Sequence, residues 1–268
     1  MRLGLVGCGT IGRALVEGLA SFAPVEAIAL FDRRPEAASS LASADPRARA
    51  VRSLEELIAS SDFVVEAASQ EAAREAVPAA LAAGRGALLM SVGALSDGPF
   101  LARVLAAAER GPGRLHIPSG AIGGLDALAS AARGGLESVT LTTRKPPAAL
   151  EGAPYLVERG RSLAGLAAET VVFEGTAREA VRAFPANVNV AAAVSVAGIG
   201  FDRTVVRVIA DPRSETNQHE VVARGAFGEL RVEVSNLPFP SNAKTSYLAA
   251  LSALASVRQA ALGTHFGP

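Results

Sequence analysis

The pattern of apolar and polar positions divides the chain into two parts. In the first part, short apolar runs alternate with segments of helical periodicity, which is typical of a parallel sheet covered by helices. We expect the apolar runs to form strands at Arg2–Val6, Val25–Phe31, Phe63–Ala68, Ala87–Val92 and Leu115–Ile117. We expect helices after the first run, after Ser53, and at Glu71–Ala83 and Pro99–Arg110, whereas the polar stretch Arg33–Ala48 receives no element. The pattern predicts a doubly wound parallel sheet over residues 1–118.

Strand-like runs rich in valine and threonine predominate in the second part. They occur at Ser138–Thr143, Thr170–Phe173, Val205–Ala210, Glu220–Arg224 and Leu230–Ser235, with helical segments at Arg178–Arg182 and Val190–Ala197. Such a succession predicts an α+β domain with a mixed or antiparallel sheet over residues 119–240. In the remaining residues, 241–268, Ser246–Leu262 reads as an amphipathic helix. We expect this C-terminal helix to return to the first domain and pack on it.

A glycine-rich turn follows the first strand and gives the first domain its chemistry. The turn has the spacing G-x-G-x-x-G, a helix follows it, and the next apolar run stops at Asp32. Glycines at these positions permit a tight turn, the approach of a pyrophosphate to the backbone and close packing of helix on strand. The N-terminus of the helix that follows the turn presents N–H groups that favour the phosphates of a bound dinucleotide. The sequence therefore predicts an α/β protein whose N-terminal domain is of the Rossmann type, with cofactor-binding residues Gly7, Gly9, Thr10, Ile11, Gly12 and Asp32.

Composition and charge limit the classes of partner that the protein can have. Half of the residues are hydrophobic and the formal net charge is zero, so we expect neither nucleic acid nor an anionic membrane surface as a partner. The uncharged run Ala183–Phe201 contains Pro185 and two asparagines, which favours a buried helix over a membrane span. The single cysteine, Cys8, excludes an internal disulfide and a multi-cysteine metal site. We therefore expect no bound metal. Because a predicted strand begins at residue 2 and no signal peptide precedes it, we expect the protein to be cytoplasmic.

Three loops and one histidine are candidates for the reaction site. The loops Glu66–Gln70, Ser91–Leu95 and Ser119–Gly124 each follow a predicted parallel strand, and we expect them to line a cleft between the domains. Ala68 in the first loop is a candidate cofactor contact. Of the three histidines, His116 reads as a core residue and His265 as part of a solvated tail. His219 lies in a polar loop before a strand, where an imidazole that titrates near neutrality suits a general acid or base.

Five motifs together resemble the L-aspartate dehydrogenase family, in order and over essentially the whole chain. They are Ser91–Leu95, Gly120–Leu128, Phe184–Ala191, the pair Ile209–Pro212 and Asn217–His219, and Asn242–Ser246. The resemblance implies reversible NAD(P)-dependent oxidative deamination of L-aspartate. The product would be iminoaspartate, which hydrolyses to oxaloacetate and ammonia or feeds NAD biosynthesis.

The resemblance also implies roles for individual residues. It gives His219 as the catalytic residue and Ala121 and Asn189 as cofactor-binding residues. Asn189 has an alternative role as a helix N-cap, which Asn187 could equally supply. In this interpretation hydride leaves the substrate Cα, and His219 activates the water that attacks the imine.

Two substrate carboxylates need cationic or N–H partners. Lys244, which we expect at the start of the last helix, is the first candidate, and Asn217 is a further substrate-binding candidate. Arg144 and Lys145 are weaker candidates, and Lys145 could equally lie on the solvated surface.

Asp32 favours NAD because it can hold the ribose hydroxyls, while Arg33 and Arg34 could neutralise a 2′-phosphate. We expect NAD to be preferred and NADP to be tolerated.

Other functions stay open from the sequence. The chain could be another two-domain reductase, of the dihydrodipicolinate reductase or homoserine dehydrogenase type. It could also be a non-catalytic NAD-sensing protein, although a sensor has no need of a general base. A homodimer is expected from the frequency of two-fold symmetry.

Overall fold

The computed structural model of the protein describes residues 1–185, 188–240 and 242–264. It contains two compact units. Among the described residues, the first consists of Met1–Pro118 and residues 250–264, and the second of Ser119–Ala249. The sequence-based division between residues 240 and 241 therefore differs from the observed one. Residues 242–249 belong to the second unit, because they hold a strand that pairs there and because the Asn217 amide lies 3.4 Å from the Ser246 hydroxyl.

The first unit is a six-stranded parallel sheet with helices. Its strands are β1 (Arg2–Val6), β2 (Ala27–Phe31), β3 (Ala48–Ala50), β4 (Phe63–Glu66), β5 (Gly86–Leu89) and β6 (Leu115–His116). Its helices are α1 (Thr10–Gly18), α2 (Pro35–Ala42), α3 (Leu54–Ala59), α4 (Gln70–Ala82) and α5 (Gly98–Arg110), with a 3-10 helix at Val92–Ser96. The strand order β3-β2-β1-β4-β5-β6, with every pair parallel, confirms the doubly wound Rossmann-type sheet.

The core of the first unit explains why its strands could be predicted from the sequence. Leu5, Leu30 and Val65 are completely buried on neighbouring strands, as expected when helices cover both faces of a parallel sheet. The last helix of the chain, Tyr247–Leu262, contributes Ala253 and Val257 to this core. The predicted return of the C-terminal helix to the first domain is thus confirmed.

The polar stretch Arg33–Ala48 contains a helix that the sequence analysis missed. Helix α2 begins at Pro35, which is favourable at a first helical position because proline lacks the N–H that would be unpaired there. Only Ala38 and Leu41 of this helix are buried, so its apolar stripe is too narrow to be visible among alanines and serines. The edge strand β3 directly precedes Val51.

The second unit is a mixed sheet of five strands. Its strands are β7 (Leu136–Lys145), β8 (Thr170–Thr176), β9 (Thr204–Ala210), β10 (Asn217–Gly225) and β11 (Gly228–Asn236), and β12 (Pro238–Phe239) and β13 (Asn242–Ser246) form a separate pair. Its helices are α6 (Leu125–Arg133), α7 (Pro147–Leu150), α8 (Pro154–Glu158), α9 (Ala177–Ala183) and α10 (Asn189–Ala197), and α11 (Tyr247–Leu262) continues into the first unit. The order is β11-β10-β7-β9-β8, and only β7 and β9 are parallel. This confirms the predicted mixed sheet.

Strand β10 corrects the predicted position of His219. The sequence analysis placed His219 in a polar loop before a strand beginning at Glu220, but the strand already begins at Asn217. His219 pairs in register with Thr143 of β7 on one side and Val234 of β11 on the other. Burial alternates along β10, so that Asn217, His219 and Val221 face inward.

The uncharged run from Ala183 to Phe201 forms the end of α9 and the short helix α10. Within the described ranges, no helix combines the length and the apolar character needed to cross a membrane.

Candidate active site

The glycine turn after β1 has the geometry that its spacing predicts. Gly7 has a φ of +99°, a conformation that favours glycine. A Cβ atom at Gly12 would collide with the carbonyl oxygen of Gly7, which explains how α1 can pack closely on β1. At Gly9 a Cβ would meet nothing within 4 Å, so space is open above the N-terminus of α1. A dinucleotide pyrophosphate fits this cradle, because helix N-termini present N–H groups to anions.

A cavity of about 380 Å³ adjoins the turn. Its walls include Gly7, Gly9, Asp32, Ala68 and Ser69. Asp32 and Ala68, which the sequence analysis selected as cofactor contacts, therefore lie in the same cavity as the glycines. Thr10, Ile11 and Gly12 form the first turn of α1 directly beside it.

The carboxylate of Asp32 is held at the end of β2 by two backbone N–H groups. Cys8 donates to Oδ2 at 2.9 Å and Arg34 donates to Oδ1 at 3.0 Å. Burial favours the neutral acid, but these bonds and the Arg34 guanidinium outweigh it and lower the pKa of Asp32. The ionised carboxylate retains lone pairs that can accept from ribose hydroxyls.

The two arginines after Asp32 are both exposed. Arg33 lies 3.4 Å from the Glu71 carboxylate, and Arg34 Nε lies 3.7 Å from Asp32 Oδ1. Both guanidinium groups are thus already shared with acids.

Cys8 is an inert part of the turn. Its side chain is buried, and burial with the nearby Asp32 charge raises the pKa of the thiol to about 12. The thiolate, which is the reactive form of cysteine, is therefore not populated at neutral pH.

The second unit contains a buried polar cluster on the inward face of its sheet. His219 is 2% exposed, and its Nδ1 lies 3.1 Å from the hydroxyl of Thr143 on the neighbouring strand. Lys145 is 3% exposed and lies two residues beyond Thr143 on the same face of β7. It is therefore the diagonal neighbour of His219.

Burial lowers the pKa of both groups in this cluster. Burial, with a contribution from the Lys145 charge, lowers the pKa of His219 to about 3. Burial lowers the pKa of Lys145 to about 8. The sequence analysis expected an imidazole that titrates near neutrality, and this is wrong for the free protein, since a buried cation is disfavoured beside a second cation. At pH 7 His219 is neutral and one of its ring nitrogens is an acceptor.

Lys145 is a better candidate than its position in the sequence indicated. The alternative of a solvated surface lysine is contradicted by its burial. Arg144, the adjacent candidate, lies on the other face of β7 and pairs with Glu169 at 3.2 Å. Of these two candidates, Lys145 therefore lies on the same face as His219.

Two asparagines extend the cluster. Asn217 and Asn236 are buried and face each other across β10 and β11. Asn236 donates from Nδ2 to the carbonyl oxygen of Ala121 at 2.8 Å, which ties the turn before α6 to the sheet. The Asn217 amide nitrogen lies 3.4 Å from Ser246 Oγ. The structure thus places His219 and Asn217 on the same inward face of β10, and Asn236 of the neighbouring strand bonds to Ala121.

Asn189 and Lys244 have different local structures from those expected. Asn189 is the first residue of α10 and is exposed, while the N-cap position belongs to Val188. Lys244 lies in β13 rather than at the start of the last helix, which begins at Tyr247. The side chain of Lys244 and the alternative cap Asn187 lie outside the described residues. Their roles stay predictions.

Of the two remaining histidines, one lies among the described residues. His116 packs edge-to-face against Phe63, with ring centroids 5.2 Å apart, which agrees with a packing role. His265 lies outside the described residues. No group of three or more potential metal ligands occurs in the part of the chain that the structure describes.

Sequence reasoning missed the Thr143 and Asn236 contacts. Thr143 is the last residue of one predicted strand and Asn236 directly follows another, and at such positions a polar residue is typical of the start of a loop. An available signal was the alternation of β7, because Thr143 shares the parity of the apolar Val139 and Leu141.

Comparisons with known protein families find a matching family model for each of the two units. A family model described as the aspartate dehydrogenase C-terminal domain matches residues 126–260. One described as the homoserine dehydrogenase NAD-binding domain matches residues 7–118, so the first unit is a pyridine-nucleotide-binding domain.

Relatives match over nearly the full chain. L-aspartate dehydrogenase of Methanosarcina mazei is 50% identical, over 97% of this chain and 96% of that protein. L-aspartate dehydrogenase of Cupriavidus taiwanensis is 42% identical, over 94% of each. Among solved structures, aspartate dehydrogenase from Thermotoga maritima has a TM-score of 0.79 at 30% identity and covers 100% of this chain and 99% of its own. The chain therefore belongs to the L-aspartate dehydrogenase family.

Proposed function

We propose that the protein is an NAD-preferring L-aspartate dehydrogenase that converts L-aspartate reversibly to oxaloacetate and ammonia through iminoaspartate. The observation that carries this proposal is the buried cluster of a neutral histidine and a lysine, in a chain that matches L-aspartate dehydrogenases over nearly its whole length. A base and a cation in one buried site suit a substrate that must be deprotonated and that carries carboxylates.

The nucleotide would be held by the first unit. Gly7, Gly9 and the N-terminus of α1 would take the pyrophosphate, and Asp32 would accept from the ribose hydroxyls. Ala68, Ala121 and Asn189 are further cofactor contacts in this proposal. When bound, the nicotinamide accepts the hydride that leaves the substrate Cα.

His219 would act on the imine. Loss of hydride from the neutral amine leaves a protonated imine, and water attacks its carbon while His219 takes the water proton. His219 then returns this proton to the carbinolamine nitrogen, and collapse to the carbonyl releases ammonia while the hydroxyl proton passes to His219. Two substrate carboxylates near the imidazole favour its protonated form, so that the substrate itself raises the basicity of His219.

Lys145 would bind one substrate carboxylate. A substrate carboxylate would stabilise the ammonium form of Lys145, which burial alone disfavours. Asn217, on the same inward face as His219, and Lys244 are the other proposed substrate contacts.

The activity is tested with NADH, oxaloacetate and ammonium, each omitted in turn, by following the nicotinamide absorbance. Ammonium-dependent oxidation of NADH, together with reduction of NAD by L-aspartate, supports the proposal. NADH binding without ammonium-dependent turnover contradicts it and directs the search to other two-domain reductases and then to an NAD sensor.

Replacing Lys145 with methionine is expected to raise the KM for L-aspartate about 10- to 100-fold, because a charged hydrogen bond contributes about 1.5–3 kcal/mol. Methionine matches the length of lysine without its charge. Arg207→Met is the control, since Arg207 pairs with Glu174 away from the cluster and is half exposed. A KM within twofold of the unaltered protein excludes Lys145 from carboxylate binding.

Replacing Thr143 with valine is expected to lower kcat by about fivefold. The neutral His219 can accept a proton at Nε2 when Nδ1 carries the hydrogen, and in that tautomer Nδ1 can donate to Thr143 Oγ1, so the hydroxyl stabilises the reactive form and orients the ring. One neutral hydrogen bond contributes about 1 kcal/mol. Thr143→Ser keeps the hydroxyl and should stay within twofold. Equal kcat values for the valine and serine variants would exclude this role.

We also propose that the protein is cytoplasmic and that it forms a homodimer. The dimer is proposed because closed two-fold symmetry is the commonest form of assembly among soluble oligomers. Sedimentation velocity distinguishes a dimer from a monomer directly.

A further inference from the structure

Glu66, at the carboxyl end of β4, is a buried acid that the proposed reaction does not use. It is 0% exposed. Among the ion pairs between described residues, none involves Glu66. A buried carboxylate is costly unless it is hydrogen-bonded, so the groups that surround Glu66 require an explanation.

Four donors converge on this one carboxylate. Backbone N–H groups of Ala68 and Ser69 donate to Oε1 at 2.8 Å and 3.0 Å. Ser91 donates from Oγ to Oε1 at 2.9 Å and from its backbone N–H to Oε2 at 3.0 Å. Burial raises the pKa of Glu66, and these four bonds oppose that effect. Three of the donors are backbone N–H groups, which can only donate, so the arrangement matches the ionised form.

The donors belong to two loops that follow neighbouring parallel strands. Ala68 and Ser69 follow β4 and line the nucleotide cavity, and Ser69 also caps α4 by accepting from the Ala72 N–H at 3.1 Å. Ser91 follows β5 and precedes the 3-10 helix. In sheets of this kind, ligands bind at the carboxyl ends of the strands. One side chain thus connects two loops at the ligand-binding edge.

The first of these loops also rests directly on the glycine turn. A Cβ at Gly7 would lie 2.7 Å from the Ala67 carbonyl oxygen and 2.8 Å from the Ala68 Cβ. The space beside Gly7 is therefore filled by the segment that Glu66 holds. A shift of Ala67 or Ala68 toward β1 would press on the turn that receives the pyrophosphate.

We propose that Glu66 is a positioning residue for the nucleotide: its carboxylate, itself held by Ser91 of the loop after β5, fixes the loop after β4 against the glycine turn in the conformation that binds the cofactor. Glu66 itself does not line the cavity, and it acts through the backbone of Ala68 and Ser69. The inference rests on nucleotide binding alone, so it stands or falls separately from the activity on L-aspartate.

The test is the affinity for NADH of Glu66→Gln, measured by the fluorescence of the bound nucleotide. Glutamine has the same shape but turns one oxygen into an NH₂ group, which must face an N–H donor of Ala68, Ser69 or Ser91. We expect the Kd for NADH to rise about tenfold, the size of one lost hydrogen bond to a charged group. We expect kcat at saturating nucleotide to stay within twofold.

Asp45→Asn is the matched control. Asp45 is another buried acid of the same unit, pairs with Arg47 at 2.7 Å, and does not line the cavity. We expect Asp45→Asn to lower the Tm while leaving the Kd within twofold. An unchanged Kd for Glu66→Gln, or an equal rise for Asp45→Asn, would overturn the proposal. Should Glu66→Gln fail to fold, Ser91→Ala decides, since it removes only the Oγ donor: a threefold rise in Kd supports the proposal and an unchanged Kd overturns it.

Discussion

Replacing His219 with glutamine is expected to lower kcat for oxidation of L-aspartate by roughly 100- to 10,000-fold, the usual contribution of a general acid or base. Glutamine can keep a hydrogen bond to Thr143 but cannot take a proton from water at neutral pH. The nucleotide cavity is formed by the other unit. We therefore expect the Kd for NADH to remain unchanged, so that the defect appears in kcat.

His116→Gln is the control for this experiment. It makes the same chemical change at a histidine that packs against Phe63, and we expect it to retain most of the turnover. A His219→Gln variant with kcat within tenfold of the unaltered protein and an unchanged circular dichroism spectrum would exclude His219 as the base. The proton would then have to reach another group of the same cluster.

Replacing Asp32 with alanine is expected to reduce the preference for NAD over NADP by roughly 100-fold or more. Two effects add. The ribose hydroxyls of NAD lose a charged acceptor worth about 1.5–3 kcal/mol, and the 2′-phosphate of NADP loses a repulsion of about 1–4 kcal/mol at contact distance. The measured quantity is the ratio of kcat/KM for the two nucleotides on one preparation, which cancels any loss of folded protein.

A second substitution separates the two effects. Arg34 lies beside Asp32, and in the Asp32→Ala background it is free to approach a 2′-phosphate. Adding Arg34→Ala should therefore remove most of the gain with NADP and leave the activity with NAD nearly unchanged. A strong NADP preference in the unaltered protein would contradict the proposed role of Asp32.

The first unit was the more predictable of the two because each of its signals is local. The glycine spacing, the buried apolar strands and the acid at the end of β2 lie within one short stretch of chain. Each one also has a single structural meaning in that context. Helix α2 was not predicted, because only Ala38 and Leu41 are buried and because alanine and serine carry little information about which face of a helix is apolar.

The polar cluster of the second unit was less predictable, because its meaning depends on the strand register. His219 and Asn217 follow a polar run and read as a loop, yet pairing of β10 with β7 and β11 makes both residues inward-facing. Lys145 was ambiguous for the same reason, since its parity with Thr143 is decisive only once β7 is known to reach Lys145. The low pKa of His219 follows from burial, which a sequence does not display.

Cys8 makes the protein convenient for site-specific labelling. The chain has this one cysteine, and its buried thiol has its pKa raised to about 12. Maleimides and spin labels react with thiolates, so they should leave Cys8 unmodified in the folded protein. A cysteine introduced at an exposed position such as Val157, which is 66% exposed, would then carry a fluorophore or nitroxide at one chosen place, without first removing the native residue.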